Sequence, residues 1–548
     1  MYLITNTSYK NIMNTDLNIK FSKDAMYKYI KALCYISGFA TLTFLLYYII
    51  YISKGFYHSD CSDTILWAQA MIDGKTIMNP DFKYAALLPF GGQLIMAPFV
   101  AIFGYGMKAQ IIGMSIFALL FAFAVVYFCK AADLSYKWSS LTLTFVLLFL
   151  CSSEKLREIF WSHIIYYSLG AFFLLLGLGL VLNIIKKEAF SLKHYILLFI
   201  WTTLCSINGS QSLTLYTIPV IGALVAERFF DLETPFFSKK NSRQWQIVIN
   251  LTVSIIIGYF LSKIINQGIV ADYQDAYSTF DANNNWIRNM SKLLPSILSL
   301  CGVESVDNVE LFSSDGITTL LTIICVLIVM IVPFIMAVMY KKFTSKAYRI
   351  TILTHLILTA LILTGWIFGL LHAANWRLSP LLVTSSILTI MFIKWIIDEK
   401  VYARLAAMLI IPVIILTTNF SSELLDTCII KEKESTVKLV TLGNYLQYEG
   451  LEYGYATFWN SNVITLLTNS KVQVIGLREL NKEFLPAEYQ TNVNWYNDDS
   501  HSEYFLALTR SEYYTYKDSK NYKEPMETKE FMGYFILVYD YNIMSSNK

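Results

Sequence analysis

The 548-residue sequence carries 43 Lys and Arg against 40 Asp and Glu, a net charge of +3, which excludes the strongly basic surface of a nucleic-acid-binding protein. Hydrophobic residues make up 55% and charged residues 15%, against about 25% charged in an ordinary soluble domain. With a mean hydropathy of +0.48, the chain belongs in a lipid bilayer.

The predicted elements begin with a polar tail, 1–28, that is too long for a cleavable signal peptide, and the first apolar run lacks a small-residue cleavage site. A span needs about 20 mostly apolar residues, and the chain offers about eleven such runs. They are 29–52, 108–128, 138–152, 164–185, 194–207, 212–226, 246–264, 317–340, 350–371, 378–397 and 403–418. The third, fifth, sixth and last are short. A further apolar stretch, 85–104, contains Pro89, Gly91, Gly92 and Pro98, which disfavour a straight span.

Charge orients the chain. The tail carries Lys10, Lys20, Lys23, Lys28 and Lys31, so it is expected in the cytoplasm. If 85–104 lies along the outer surface without crossing, nearly every basic cluster falls inside. These clusters are Lys130 and Lys137; Lys186, Lys187 and Lys193; Arg228, Lys239, Lys240 and Arg243; Lys341, Lys342, Lys346 and Arg349; Lys394, Lys400 and Arg404. Were it to cross, the clusters from Lys130 onward would flip outside. The expected organisation is therefore a cytoplasmic tail 1–28, a transmembrane domain 29–418 with outer loops 53–107 and 266–316, and an extracytoplasmic domain 419–548. A shorter outer loop, 153–163, follows the third span.

The C-terminal region reads as a small α/β domain. Alternating apolar residues predict strands at 453–458, 472–477, 504–508 and 534–539, and 437–448 and 460–468 predict helices. Of eight cysteines, Cys34, Cys129, Cys151, Cys205 and Cys325 lie in or beside apolar runs. Cys61, Cys301 and Cys428 fall outside the spans, where a disulfide is admissible without any deducible pairing. None has zinc spacing.

The first outer loop is the most informative stretch: His58-Ser-Asp60-Cys-Ser-Asp63, then an amphipathic helix at 64–72 containing Trp67, closed by Asp73-Gly74. Asp63 stands where an N-cap would, so its carboxylate either caps the helix or serves as a general base at the membrane surface. The second outer loop holds Glu154, Lys155, Arg157, Glu158 and His163; a lone His at a span's edge is more often structural than catalytic. Arg377, in His372-Ala-Ala-Asn-Trp376-Arg377-Leu-Ser-Pro380, either grips an anion or snorkels at the interface beside a belt tryptophan. Lys83, Arg157 and Arg288 are weaker cation candidates. In the tail, Tyr453-Gly-Tyr-Ala-Thr-Phe-Trp459-Asn-Ser-Asn462 sets aromatics beside amides. That pattern suits a sugar ring, and it equally suits the core and cap of a small domain.

A single span, an outer-loop acid opening an amphipathic helix, then Gly and a Pro-containing apolar segment resembles the GT-C superfamily of membrane glycosyltransferases, which includes aminoarabinose transferases and protein O-mannosyltransferases. Asp63 matches the leading acid of the superfamily motif, Trp67 the aromatic, Ala68 the small residue and Gly74 the glycine, while Thr64 replaces the usual second acid. The tail stretch most resembles that of uncharacterised bacterial members. The resemblance implies a polytopic helical membrane protein of the cell envelope. Its implied reaction is inverting transfer of a sugar from a polyprenyl-phosphate donor to a glycan, lipid or protein acceptor at the outer face.

On that resemblance Asp63 is the base and Asp60 its helper. Arg377 and Lys83 are the donor-phosphate ligands, and Glu158, His163 and Trp67 line the cleft. Some members hold a divalent metal on an Asp-x-Asp motif. Asp60 and Asp63 are spaced differently, so a divalent metal remains the one candidate cofactor without a recognisable ligand set. Two rival readings stand beside this one: a lipid-linked glycan flippase or transporter, and a catalytically silent glycan-binding protein. Spans nearly free of ionisable groups, with His355 the clearest exception, favour interfacial chemistry over conduction.

Overall fold

The computed structural model describes residues 23–545 apart from 188–189, 232–234, 239–241, 270, 272–276, 278, 304–308, 401–402 and 481. Lys10, Lys20, Lys239, Lys240 and part of loop 266–316 lie outside the described residues.

Among the described residues, 9 helices are long and apolar enough to cross a membrane: Lys28–Phe56, Met107–Ala131, Tyr166–Lys186, Ser210–Phe230, Ser242–Ile265, Ser314–Val338, Lys346–Phe368, Asn375–Glu399 and Arg404–Tyr448. The chain is a multi-pass membrane protein. The predicted third span is the helix Tyr136–Phe149, which turns by 115° into Glu154–Trp161; counting that pair as one span gives 10. The predicted fifth span is the 15-residue helix Leu192–Ser206. At 1.5 Å per residue that helix covers only about 22 Å, short of a ~30 Å core.

One boundary differs from expectation. The helix through the predicted last span does not stop at Thr418 but runs on as Ala403–Ile430. Two of the polar groups in its continuation find partners: Asn419 donates to Thr322 Oγ1 at 2.9 Å, and Glu423 pairs with Arg157 at 3.2 Å. Within 85–104 only Gln93–Phe103 is helical, 11 residues with Pro98 inside, too few to cross a bilayer. Gly92, just before it, sits where a Cβ would lie 2.5 Å from Ile164 Cβ and 2.7 Å from Thr64 Cγ2. A glycine there lets the two loops close on one another. All eight cysteines are buried and free, Cys61, Cys301 and Cys428 included, so the structure contains no disulfide.

The C-terminal sheet contains β2 (Tyr453–Thr457), β3 (Gln473–Leu480), β4 (Glu483–Pro486), β6 (Tyr504–Thr509), β7 (Glu527–Phe531) and β8 (Tyr534–Tyr539), in the order β4-β3-β2-β6-β8-β7. The pairs of β2 with β3 and with β6 are parallel, the others antiparallel. A separate pair joins β1 (Phe82–Lys83) to β5 (Thr491–Asn492). Side chains alternate across a strand, and the alternation divides the core in two. Ala456, Val474, Phe505, Ala507, Ile536 and Val538 merge with the core of the helical part. Tyr453, Tyr455, Leu477, Leu506, Leu508 and Leu537 form a second core on the far face. One face of the sheet is therefore continuous with the transmembrane packing.

Candidate active site

The chain leaves the first span through a short 3-10 turn, Ser59–Ser62, into the helix Asp63–Gly74. Ser62 holds the N-cap position and no side chain makes a capping bond. Asp63 is thus the first helical residue, and the capping role open to it from sequence is not the one it plays. Its carboxyl group is 2% exposed, and Oδ1 has no hydrogen-bond partner among the described residues. The left-handed residue that ends the helix is Lys75, at φ 50°, rather than Gly74. A Cβ on Gly74 would meet the Asn79 amide at 2.7 Å.

Hydrogen bonds stitch this turn to the second loop. Thr64 Oγ1, at the position of the absent second acid, accepts the Ile164 N–H at 2.7 Å. Gln110 Nε2 donates to the carbonyls of Ser162 at 2.6 Å and Cys61 at 3.2 Å. The two loops thereby wall a cavity of about 470 Å³ lined by Asp60, Asp63, Glu158, His163, Tyr277, Trp376, Arg377, Phe458, Trp459 and Tyr489, among others. Asp60, Asp63, Glu158, His163 and Arg377, which the sequence singled out from three separated segments, all meet there.

The other two do not. Trp67 is buried in the core beneath the cavity, its Nε1 donating to Gln490 Oε1 at 2.6 Å. Lys83 lies on β1, paired with Thr491, and does not line the cavity. Of the weaker cations, Arg157 is buried and donates to the Cys151 carbonyl at 2.8 Å and to Glu423, and Arg288 is exposed on the helix Trp286–Ser291. Sequence could not separate these residues from the lining ones, because position in a loop says nothing about which wall of the loop faces inward.

The electrostatics sort the acids. Burial pushes the Asp63 carboxyl well above its ordinary value, and the neighbouring Asp60 charge raises it further, offset in part by Gln490 and His58. Asp60 is raised mainly by burial, with His58 acting against it. Glu158 goes the other way. Burial alone would raise it, but His58 Nε2 at 3.1 Å and Lys155 Nζ at 2.5 Å bring it down to about 2. His163 is lowered to about 4, chiefly by burial. Its Nδ1 lies 3.0 Å from the Asp60 carbonyl, so the neutral ring carries its proton on Nδ1 and leaves Nε2 as a buried acceptor.

Arg377 donates to the Leu370 carbonyl at 2.7 Å and stacks on Tyr277 at 4.1 Å, which fixes its plane and leaves its remaining N–H groups for the cavity. Lys155 Nζ sits 4.7 Å above the Trp376 ring. His58 and Lys155, which sequence reasoning did not select, are the groups that hold Glu158 ionised. A signal was present, since Lys155 and Glu158 stand three apart on one helix, but His58 reaches Glu158 only through the fold. Among the described residues no group of three or more His, Cys, Asp or Glu is arranged to hold a metal ion. Glu158 is already engaged by two cationic partners, so the site fits a divalent metal poorly.

No protein-family model matches the sequence, and no curated protein sequence matches it. Solved structures do. ArnT from Cupriavidus metallidurans, bound to undecaprenyl phosphate, superposes with a TM-score of 0.52 at 10% identity, over 94% of this chain and 98% of that one. The chain therefore shares its overall fold with that protein. The oligosaccharyltransferase of Archaeoglobus fulgidus, in complex with Zn and sulfate, gives a TM-score of 0.46 at 10% identity, over 92% of this chain and 73% of that one. In this chain the cavity lies where the first loops and the C-terminal domain meet, and residues from both line it.

Proposed function

We propose that this chain is an inverting membrane glycosyltransferase that moves a sugar from a polyprenyl-phosphate donor to an acceptor hydroxyl at the outer face of a cell membrane. The observation that carries the reading is that the buried, incompletely partnered Asp63 carboxylate and the Arg377 guanidinium line one cavity. Asp63 takes the acceptor's proton as the acceptor oxygen bonds to the anomeric carbon. The bond from that carbon to the phosphate oxygen breaks, and the phosphate leaves with the electron pair. A single displacement of this kind inverts the anomeric centre. Arg377 stabilises the leaving phosphate with paired N–H donors, and Lys155 adds positive charge nearby. Asp60 keeps Asp63 basic by like-charge repulsion.

The donor class rests on the GT-C fold, since ArnT in that fold was solved with undecaprenyl phosphate. Orientation follows from the basic clusters: we place the N-terminus in the cytoplasm, and loop 53–107 and the C-terminal α/β domain outside. An ion-coupled transporter gains no support from His355, whose Nδ1 pairs with Thr384 Oγ1 at 2.7 Å, as a satisfied core histidine does.

Membranes containing the chain and supplied with radiolabelled undecaprenyl-phosphate-linked sugars should move label off the lipid. Asp63→Asn should reduce that transfer by roughly 10²–10⁴-fold and leave undecaprenyl-phosphate binding intact. Transfer that survives Asp63→Asn excludes Asp63 as the base.

A further inference from the structure

A second groove, of about 540 Å³, opens on the C-terminal domain and is lined by Phe458, Trp459, Arg478, Glu479, Glu488 and Tyr489, among others. Phe458, Trp459 and Tyr489 also line the cavity that holds Asp63. One aromatic wall thus serves both spaces, and a molecule lying along it reaches from the groove into the active site. Its size is in the range of ordinary ligand sites, roughly 300–1,000 Å³.

The groove sits at the carboxyl ends of β2 and β3. The connection after β2 leads to β3 on one flank, while β6 returns on the other, both parallel to β2. The groove lies on the β3 flank, between the ends of β2 and β3 and the segment after β4. Phe458 and Trp459 occupy the first turn beyond β2, in the short 3-10 helix Phe458–Asn460.

That turn is pinned on both sides. Ser59 Oγ, one residue before Asp60, donates to the Phe458 carbonyl at 2.6 Å, and Tyr534 OH donates to Asn460 Oδ1 at 3.0 Å. Between these anchors the Trp459 ring is 56% exposed. A large flat apolar face held by its backbone and left bare is a stacking platform. Beside it, Arg478 and Glu488 pair at 2.8 Å, with Glu479 next in sequence, so planar charged groups that donate and accept hydrogen bonds flank the ring.

We propose that this groove is an acceptor subsite for a glycan, in which a sugar ring stacks on Trp459, its hydroxyls bond to Arg478, Glu479 and Glu488, and the next sugar presents its hydroxyl to Asp63. Sugars carry one apolar C–H face and a polar rim, the pairing that an aromatic platform edged with charged groups matches. The acceptor is therefore at least a disaccharide. This rests on the glycosyltransferase reading and adds the acceptor class to it.

The full chain in lipid nanodiscs is applied to a printed array of microbial oligosaccharides, and undecaprenyl phosphate binding is measured separately by native mass spectrometry. A set of oligosaccharides should bind. Trp459→Ala should weaken that binding at least tenfold and Trp459→Phe should restore most of it; Arg478→Ala, which lines the groove but not the Asp63 cavity, should weaken glycan binding and leave undecaprenyl phosphate binding intact. Glycan binding indifferent to Trp459→Ala overturns the subsite. A chain that binds undecaprenyl phosphate but no oligosaccharide also overturns it, while leaving the donor reading intact; a chain that binds neither overturns both.

Discussion

Trp67 Nε1 donates to Gln490 Oε1 at 2.6 Å, across 423 residues of sequence. Around that bond Asn462 Nδ2 donates to the Gln490 carbonyl at 2.9 Å, and Gln490 N donates to the Lys83 carbonyl at 2.7 Å. The helix that begins with Asp63 is therefore held from below by the C-terminal domain. Gln490→Ala leaves a buried indole N–H without its acceptor, at a cost of about 1–3 kcal/mol. A lowered melting temperature in detergent is the expected result, and an unchanged one would show that the two parts are not coupled through this bond.

The acid limb of the transfer reaction tests Asp63. A general base works ionised, and burial together with Asp60 raises the Asp63 carboxyl well above the ordinary carboxylate value. Transfer should therefore fall as pH drops through a value above the ordinary carboxylate range. Asp60→Asn removes the like-charge contribution and leaves the burial, so the limb should move to lower pH without reaching the range of an exposed Asp. A profile unmoved by Asp60→Asn would show that Asp60 does not act on Asp63.

Glu158 makes the opposite prediction for stability. Its folded pKa, about 2, lies below the ordinary value of 4.5. The stability it contributes is fully present above about pH 4.5 and is lost as pH falls toward 2. A shift of this size corresponds to something on the order of 3 kcal/mol, shared with His58. The melting-temperature difference between the wild type and Glu158→Gln should be large at pH 7 and should shrink on acidification. A difference independent of pH would mean that the ion cluster contributes nothing.

Topology can be tested with a single label. All eight native cysteines are buried, so a membrane-impermeant maleimide should find little background. Lys520, exposed on the C-terminal domain, becomes the reporter as Lys520→Cys. Labelling in intact cells is expected; labelling only after permeabilisation would invert the orientation and move the cavity to the cytoplasmic face.

Much of the architecture was legible in the residues themselves. Apolar runs of membrane length mark themselves because each must bury its backbone polar groups in hydrocarbon, and every predicted run is helical. The four predicted strands are likewise present as β2, β3, β6 and β8, since alternation reports a strand with two distinct faces. The end of the last span was not legible. Asn419 and Glu423 read as a polar stop, whereas Thr322 and Arg157, distant in sequence, satisfy them and let the helix continue.

The site divides along the same line. Sequence by itself determined a membrane protein with acids at a loop-helix junction and an arginine at the start of a span, because hydropathy and charge are local properties. Only the tertiary structure decided that Asp63 does not cap its helix, that Trp67 and Lys83 turn away from the cavity, that Lys155 and His58 hold Glu158, and that Trp459 completes the wall. The His58–Glu158 and Trp67–Gln490 contacts join residues 100 and 423 positions apart, and no local pattern encodes packing over such separations.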